Sequence, residues 1–220
     1  MSTLYVVATP IGNLEDLSQR ALRILSEVDL ILCEDTRVTS KLLSHYQIKT
    51  STLSYHQHSE LNKVNEIIDL LKSGKNLALV SDAGTPGISD PGNKLVAALP
   101  DSIKIVPVSG PSALVSIASV AGFPMDKFLF LGFPPHKNKR QKFFNQVADS
   151  QYPVVLYESP YRILKTLADL NSVSQELKLV VGRELTKKFE TLYRGTAQEI
   201  LKQLKKEKIR GEFVIVIDKK

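Results

Sequence analysis

Apolar positions recur along this chain in two periods, and the switches between them lay out its elements. Leu4–Ala8 is a short β-branched run that stops at Thr9-Pro10-Ile11-Gly12-Asn13, which predicts a strand entering a tight loop. Asp16 is placed to cap a helix running to about Glu27, with Leu17, Ala21, Leu22 and Leu25 on one face. Asp29–Cys33 reads as a second buried strand and Thr36–His45 as a helix. Leu61–Lys72 carries Val64, Ile67, Ile68 and Leu71 at helical spacing and ends before Gly74. Asn76–Val80 and Ile103–Val106 are strand-like, with Lys94–Leu99 helical between them. Beyond residue 112 the alternation resumes. Helices are predicted from Ala113, over Lys139–Asp149, Arg162–Leu170 and Ala197–Lys206, and strands over Phe128–Leu131, Val154–Tyr157, Leu177–Val181 and Phe213–Ile217.

This alternation predicts an α/β protein with a largely parallel sheet. Ligands of such sheets bind beyond the carboxyl ends of the strands. Three loops leave such ends with unusual residues: Thr9–Asn13, Glu34–Arg37 and Ser81–Gly92. Val108-Ser109-Gly110-Pro111-Ser112 is a natural hinge, so the chain divides into two α/β domains, 1–110 and 111–220, with a cleft between them.

Composition narrows the classes. The chain has 220 residues, 43% hydrophobic and 24% charged, which suits a globular protein rather than a disordered one. No apolar run reaches the length of a membrane span and no secretory signal is visible, so no membrane partner is expected. The single cysteine, Cys33, excludes an intrachain disulfide and fits the cytoplasm. Charge is uneven. Residues 1–110 hold 10 Lys/Arg against 12 Asp/Glu, net −2, and residues 111–220 hold 19 against 11, net +8. A basic half beside a near-neutral one points to a polyanionic partner, although a lysine-rich solvated surface has the same composition.

The most distinctive segment is Ser81-Asp82-Ala83-Gly84-Thr85-Pro86-Gly87-Ile88-Ser89-Asp90-Pro91-Gly92. Three glycines and two prolines between a strand and a helix specify an unusual backbone that a ligand can approach closely. It is not a phosphate loop. Gly87 and Gly92 have the outer spacing of one, but Asn93 stands where lysine is required, and Pro86 and Pro91 remove amide donors. The Gly-x-Gly-x-x-Gly dinucleotide fingerprint is absent as well. Small residues and backbone amides suit a methyl donor, whose sulfonium needs a few apolar contacts rather than a lysine clamp. Methyl transfer depends largely on positioning.

The segments Thr9-Pro10-Ile11-Gly12-Asn13-Leu14, Cys33-Glu34-Asp35-Thr36-Arg37 and Ser81–Gly92 together resemble the tetrapyrrole-methylase superfamily. Gly110-Pro111-Ser112-Ala113, Gly132-Phe133, Glu158-Ser159-Pro160-Tyr161-Arg162, Arg183-Glu184-Leu185-Thr186-Lys187 and Arg210-Gly211-Glu212-Phe213-Val214 agree with it in order along the chain. Within the superfamily the chain is most similar to the branch that methylates a cytidine ribose in small-subunit ribosomal RNA. The resemblance implies a two-domain α/β enzyme, a homodimer, with S-adenosylmethionine in the interdomain cleft and S-adenosylhomocysteine as product. Carried over, Thr85, Ile88, Ser112 and Ala113 line the cofactor. Tyr157 and Glu158 approach it from the second domain, and Pro10, Asp82 and Gly84 border the pocket. The implied acceptor is the 2′-oxygen of a cytidine in the decoding region of 16S rRNA, and the implied partner is the small ribosomal subunit. Two rivals stand beside this reading: a methyltransferase of the same fold acting on a tetrapyrrole or a protein, and a non-catalytic ribosome-binding protein.

Some residues depart from the family pattern: Ser109, Pro134, Gln57, Ser59, Phe189 and Thr191. Gln57 and Ser59 matter most if their segment touches RNA. His56 and His58 share a face if extended, but no third ligand accompanies them, so no metal is expected. Asp35 with Arg37 reads either as a helix cap with an incidental arginine or as a carboxylate that accepts or orients the attacking hydroxyl, with the guanidinium on a phosphate. Glu184, beside Arg183, is a comparable catalytic candidate, or one half of a structural ion pair. Lys137, Lys139 and Arg140 are expected to contact the RNA backbone, positioning it without reading its sequence. A second basic cluster near the C-terminus reads as ordinary helix solvation.

Overall fold

The structure is a computed structural model that describes residues 2–56 and 61–219. The chain gathers into two compact units, Met1–Ser112 and Ala113–Lys220. The histidine-rich segment with Gln57, His58 and Ser59 lies outside the described residues.

The first unit holds β1 (Thr3–Val7), α1 (Gln19–Glu27), β2 (Leu30–Cys33), α2 (Thr36–His45), β3 (Thr52–Ser54), α3 (Leu61–Lys72), β4 (Leu77–Leu79), α4 (Asn93–Ala98) and β5 (Lys104–Val108). Its sheet runs β3-β2-β4-β1-β5, and every pairing is parallel. Helices cover both faces, as a parallel sheet requires. One core packs Ala21, Ile24 and Leu25 of α1 and Leu43 of α2 against Val7, Ile31 and Ala78. The other packs Val64, Ile67 and Leu71 of α3 against Leu4, Leu32, Leu77 and Leu79. Alternate residues of β1, β2 and β4 thus face opposite helical layers.

Two local readings change. Asp16 does not cap α1. It closes a short 3-10 turn, Leu14–Asp16, and the cap is Ser18, whose hydroxyl accepts from Ala21 N at 3.1 Å. β3 carries no sequence signal, because it is a three-residue edge strand without a fully buried position.

The second unit holds α5 (Ala113–Val120), β6 (Leu129–Phe130), α6 (Arg140–Ala148), β7 (Val154–Glu158), α7 (Ile163–Val173), β8 (Lys178–Arg183), β9 (Thr191–Thr196), α8 (Ala197–Leu204) and β10 (Phe213–Ile217). Its sheet, β6-β7-β10-β8-β9, is mainly antiparallel, and only β6 and β7 run parallel. Alternation of strands and helices therefore overstates parallel pairing here. β8 and β9 are joined by the helix-free loop 184–190, too short for a parallel crossover. The last strand, β10, inserts between β7 and β8 with all five residues buried. Among the described residues, no helix is long and apolar enough to cross a membrane.

Candidate active site

Because the first sheet is parallel, the loops after β1, β2, β4 and β5 leave one edge, and hydrogen bonds join them. Thr9 N donates to Gly84 O (2.8 Å), Gly84 N donates to Thr9 O (3.0 Å), and the Thr9 hydroxyl donates to Ser81 O (3.2 Å). The Thr85 hydroxyl donates to Pro111 O (3.3 Å), and Asp35 N donates to Asp82 Oδ1 (3.1 Å). The loop after β4 is thereby tied to each of the other three, and Pro10, Asp82, Gly84, Thr85, Ile88 and Ser112 belong to this set of loops.

The long loop also braces itself. Gly87 N donates to Pro91 O (3.2 Å), Ile88 N to Thr85 O (3.3 Å) and Asn93 Nδ2 to Gly87 O (2.9 Å). The residue standing where a phosphate loop has lysine thus closes the loop, and the nearby amides point into it. Glycine is required at position 92, whose φ is +140° and where a Cβ would lie 3.0 Å from Leu79 Cδ2.

The carboxylates at this edge differ in state. Asp35 caps α2 by accepting from Arg37 N (2.8 Å), and its oxygens take Arg37 Nε (3.0 Å) and Nη2 (2.6 Å). Those bonds, the Arg37 side chain first, hold its pKa down at about 2. A carboxylate so stabilised is a weak base at neutral pH, and its bonds fix the Arg37 side chain. The paired Arg37 guanidinium still stands 87% exposed. Glu34, one residue earlier, is pushed the other way. Burial and the neighbouring Asp82 raise its pKa, with His56 opposing. Cys33 is buried, and burial raises its thiol pKa, which keeps it inert.

In the second unit, β7 and β8 both pair with β10, and Phe213 lies opposite Glu158 on one side and Arg183 on the other. The loops after β6, β7 and β8 and the turn before β10 therefore share one edge. Glu158 is fully buried. It accepts from Arg162 Nη2 (2.9 Å), Ser159 N (2.8 Å) and the Thr166 hydroxyl (2.5 Å). Its carboxylate shapes the loop, and what it can offer a ligand is backbone, as part of the Tyr157-Glu158 strand end.

Two of the sequence-predicted site residues sit in intrachain networks. Glu184 is the first. It accepts from Lys187 Nζ (2.9 Å) and Glu212 N (3.0 Å), in a left-handed backbone (φ +52°) packed against Gly211. Burial alone would raise its pKa, but Lys187 and the Glu212 amide bring it below the ordinary value. Glu184 latches the loop after β8 to the turn before β10. Arg140, expected on the RNA backbone, is the second. It is buried, with Nε on Asp169 (2.6 Å), Nη1 on Pro135 O (2.8 Å) and Nη2 on the Thr166 hydroxyl (2.7 Å). A cation one helical position from exposed lysines looks solvated in sequence, but the first turn of α6 turns it inward. Lys137 and Lys139 remain exposed.

Residues 3–201 match the Tetrapyrrole (Corrin/Porphyrin) Methylases. The chain belongs to that family. Over 220 residues it is 47% identical to the ribosomal RNA small subunit methyltransferase I of a Synechocystis species, covering 99% of this chain and 79% of the relative. It is 43% identical to the protein of the same name from Thermotoga maritima, with both chains covered in full. Relatives this similar over nearly the whole chain make it a methyltransferase of this family. Among solved structures, a cobalt-precorrin-4 methyltransferase of cobalamin biosynthesis superposes with a TM-score of 0.74 at 18% identity, covering 98% of this chain and 94% of its own. The uroporphyrin-III-C-methyltransferase of Thermus thermophilus gives 0.68 at 18%, covering 100% and 95%. At that identity they share the fold.

Sequence reasoning left three contributors without a role. Glu34 was one of the two carboxylates at this strand end without a role of its own, and what separates it from Asp35 is that Asp35 alone is bonded to Arg37. Arg162 pairs with Glu158 across the turn from β7 to α7, a contact that helical spacing does not predict because Glu158 ends a strand. The exposed rings of Phe133, Tyr161 and Phe189 give no signal in sequence, where an aromatic residue reads as core.

Proposed function

We propose that the chain transfers the methyl group of S-adenosylmethionine to the 2′-oxygen of a cytidine ribose in the decoding region of 16S rRNA. The observation that carries this reading is the run of relatives, 42–47% identical over nearly the whole chain, that bear the name of a small-subunit ribosomal RNA methyltransferase. The basic second half, net +8, supports a polyanionic substrate. The proposed setting is the cytoplasm, as a homodimer acting on the small ribosomal subunit, by family resemblance.

The first-unit loops suit a cationic methyl donor. Glu34, Asp35 and Asp82 bring three carboxylates to this edge, one of them paired with Arg37, beside the half-buried to exposed stretch Gly87–Asp90 of the long loop. Pro10, Asp82, Gly84, Thr85, Ile88 and Ser112 are the proposed cofactor contacts there. Those proposed in the second unit are Ala113, at the start of α5, with Tyr157 and the Glu158 backbone at the end of β7. When bound, S-adenosylmethionine supplies an electrophilic methyl on sulfur and leaves as S-adenosylhomocysteine. The ribose hydroxyl forms the new O–C bond and gives up its proton. Glu34 is the carboxylate suited to take that proton, because its pKa is raised while that of Asp35 is held down. Arg37, fixed by Asp35, is placed to meet a backbone phosphate, and Lys137 and Lys139 add contacts that position RNA without reading it.

Calorimetry with S-adenosylmethionine, followed by incubation of methyl-labelled cofactor with small ribosomal subunits lacking the modification, tests this reading. Cofactor binding with label in the RNA is the expected result. Label transferred to protein or tetrapyrrole alone would overturn the substrate, and absence of cofactor binding would overturn the whole reading.

A further inference from the structure

Three large aromatic rings stand in solvent around one edge of the second unit. Phe133 follows β6 and is 51% exposed, Tyr161 follows β7 and is 95% exposed, and Phe189 lies in the loop after β8 and is 73% exposed. Exposed rings gathered at one edge call for a partner. Two of the three are matched with a cation. The Arg162 guanidinium carbon sits 5.9 Å from the Phe133 ring centroid, and Lys188 Nζ sits 5.7 Å from that of Phe189.

The least exposed of the three rings, Phe133, packs on a neighbouring ring. Tyr157 meets Phe133 edge-to-face with centroids 5.7 Å apart, and Phe130 meets Tyr157 at 4.9 Å. Arg162 is fixed by the buried Glu158 carboxylate (2.9 Å), by Pro134 O (3.1 Å) and by the Ser159 hydroxyl (3.3 Å). The buried Glu158 thereby holds an arginine against an aromatic ring whose other surface is open. Phe189 sits in a loop braced by Thr186 N donating to Glu190 (2.5 Å) and by the Lys187 bridge to Glu184 and Glu212. Ordered rings and guanidinium planes beside exposed lysines (Lys137, Lys139, Lys188) match the chemistry that takes up unpaired nucleobases: π-faces for stacking, cations for the backbone. A protein partner would favour an apolar surface depleted in lysine. The loops span the sheet from β6 to β8, three strand spacings or roughly 14 Å.

We propose that this edge is a stacking surface for unpaired bases of the substrate RNA, with Phe133 on its Arg162 support as the fixed element and Tyr161 and Phe189 as outer rings. The inference rests on the proposed RNA substrate and adds that the enzyme takes its target region single-stranded.

The test compares the full-length protein with Phe133→Ala, Tyr161→Ala and Phe189→Ala. The readouts are affinity for a short unpaired RNA oligonucleotide carrying 2-aminopurine, affinity for a duplex of equal charge, S-adenosylmethionine affinity by calorimetry, and thermal midpoint. Each alanine variant is expected to lose about 5- to 150-fold in single-strand affinity, with duplex binding unchanged and fluorescence quenching diminished, and cofactor affinity is expected to hold in Tyr161→Ala and Phe189→Ala. Phe133→Tyr, which keeps the ring, is expected to retain binding, and this guards against a folding artefact at Phe133. Single-strand affinity unaltered in all three alanine variants overturns the stacking surface while leaving the RNA reading intact. A change in sedimentation with RNA affinity unaltered assigns the rings to a second copy and overturns it too. Wild-type protein that binds the cofactor but no RNA overturns both readings.

Discussion

At the carboxyl end of β2, two adjacent carboxylates have opposite fates. Asp35 faces Arg37 and the first amides of α2, and its pKa falls to about 2. Glu34 is drawn partly out of water beside Asp82, and its pKa rises. The signs lead to different pH behaviour. A depressed carboxylate adds stability above its unfolded value, about 3.9, and loses it as pH falls toward 2. A raised one favours the fold only while protonated, below its unfolded value of about 4.3, and that contribution is lost as pH rises through the folded pKa. Glu34→Gln is therefore expected to leave the thermal midpoint at pH 7 unchanged or raised while methyl transfer falls by about 10²-fold or more. The wild-type acidic limb of kcat/KM should lie above the ordinary glutamate range, and Asp35→Asn should leave that limb in place. A limb that moves with Asp35 instead would return the proton to that residue. Glu158 is a different kind of carboxylate, wholly buried and triply bonded. Glu158→Ala strands Arg162 and Thr166 and should cost about 3–5 kcal/mol, read by chemical denaturation.

The elements explain which parts of the molecule the amino-acid pattern reveals. α2, α3 and β10 fall at their predicted bounds, because strong 3.6-residue periodicity or an unbroken buried run leaves little choice. Strand direction in the second unit was not legible. Alternating strands and helices look the same whether β10 joins β7 parallel or inserts antiparallel between β7 and β8. The first-unit loops were legible as a site because glycine and proline mark special backbone, and their mutual bonds, Thr9 to Gly84 and Asp35 to Asp82, supply the reason they meet. The bonds of Arg140 and Glu184 were not legible, because their partners Asp169 and Glu212 lie 29 and 28 residues away in sequence. The long loop depends on Gly92, which combines a positive φ with contact to Leu79. Gly92→Ala should destabilise by about 1–3 kcal/mol and weaken cofactor binding. Calorimetry on the folded variant separates the two effects, and undiminished affinity would remove the loop from the cofactor site.

For the whole molecule, the charge is divided, −2 in residues 1–110 and +8 in residues 111–220. The division agrees with the proposed reading, in which the first-unit loops take a cationic cofactor and the basic second unit meets RNA. RNA affinity should fall with salt, by a slope of about 0.7 per phosphate neutralised on a single strand. Replacing both Lys137 and Lys139 with alanine should reduce that slope by about 1.4, and an unchanged slope would place the RNA elsewhere. The central claim, methyl transfer to a ribose oxygen of small-subunit rRNA, is tested most directly by the product. Purified protein, S-adenosylmethionine and small ribosomal subunits lacking the modification are incubated together, the rRNA is digested and its nucleosides are resolved by mass spectrometry. New 2′-O-methylcytidine is the predicted result. An rRNA nucleoside profile that does not change, from protein that demonstrably binds the cofactor, would contradict it.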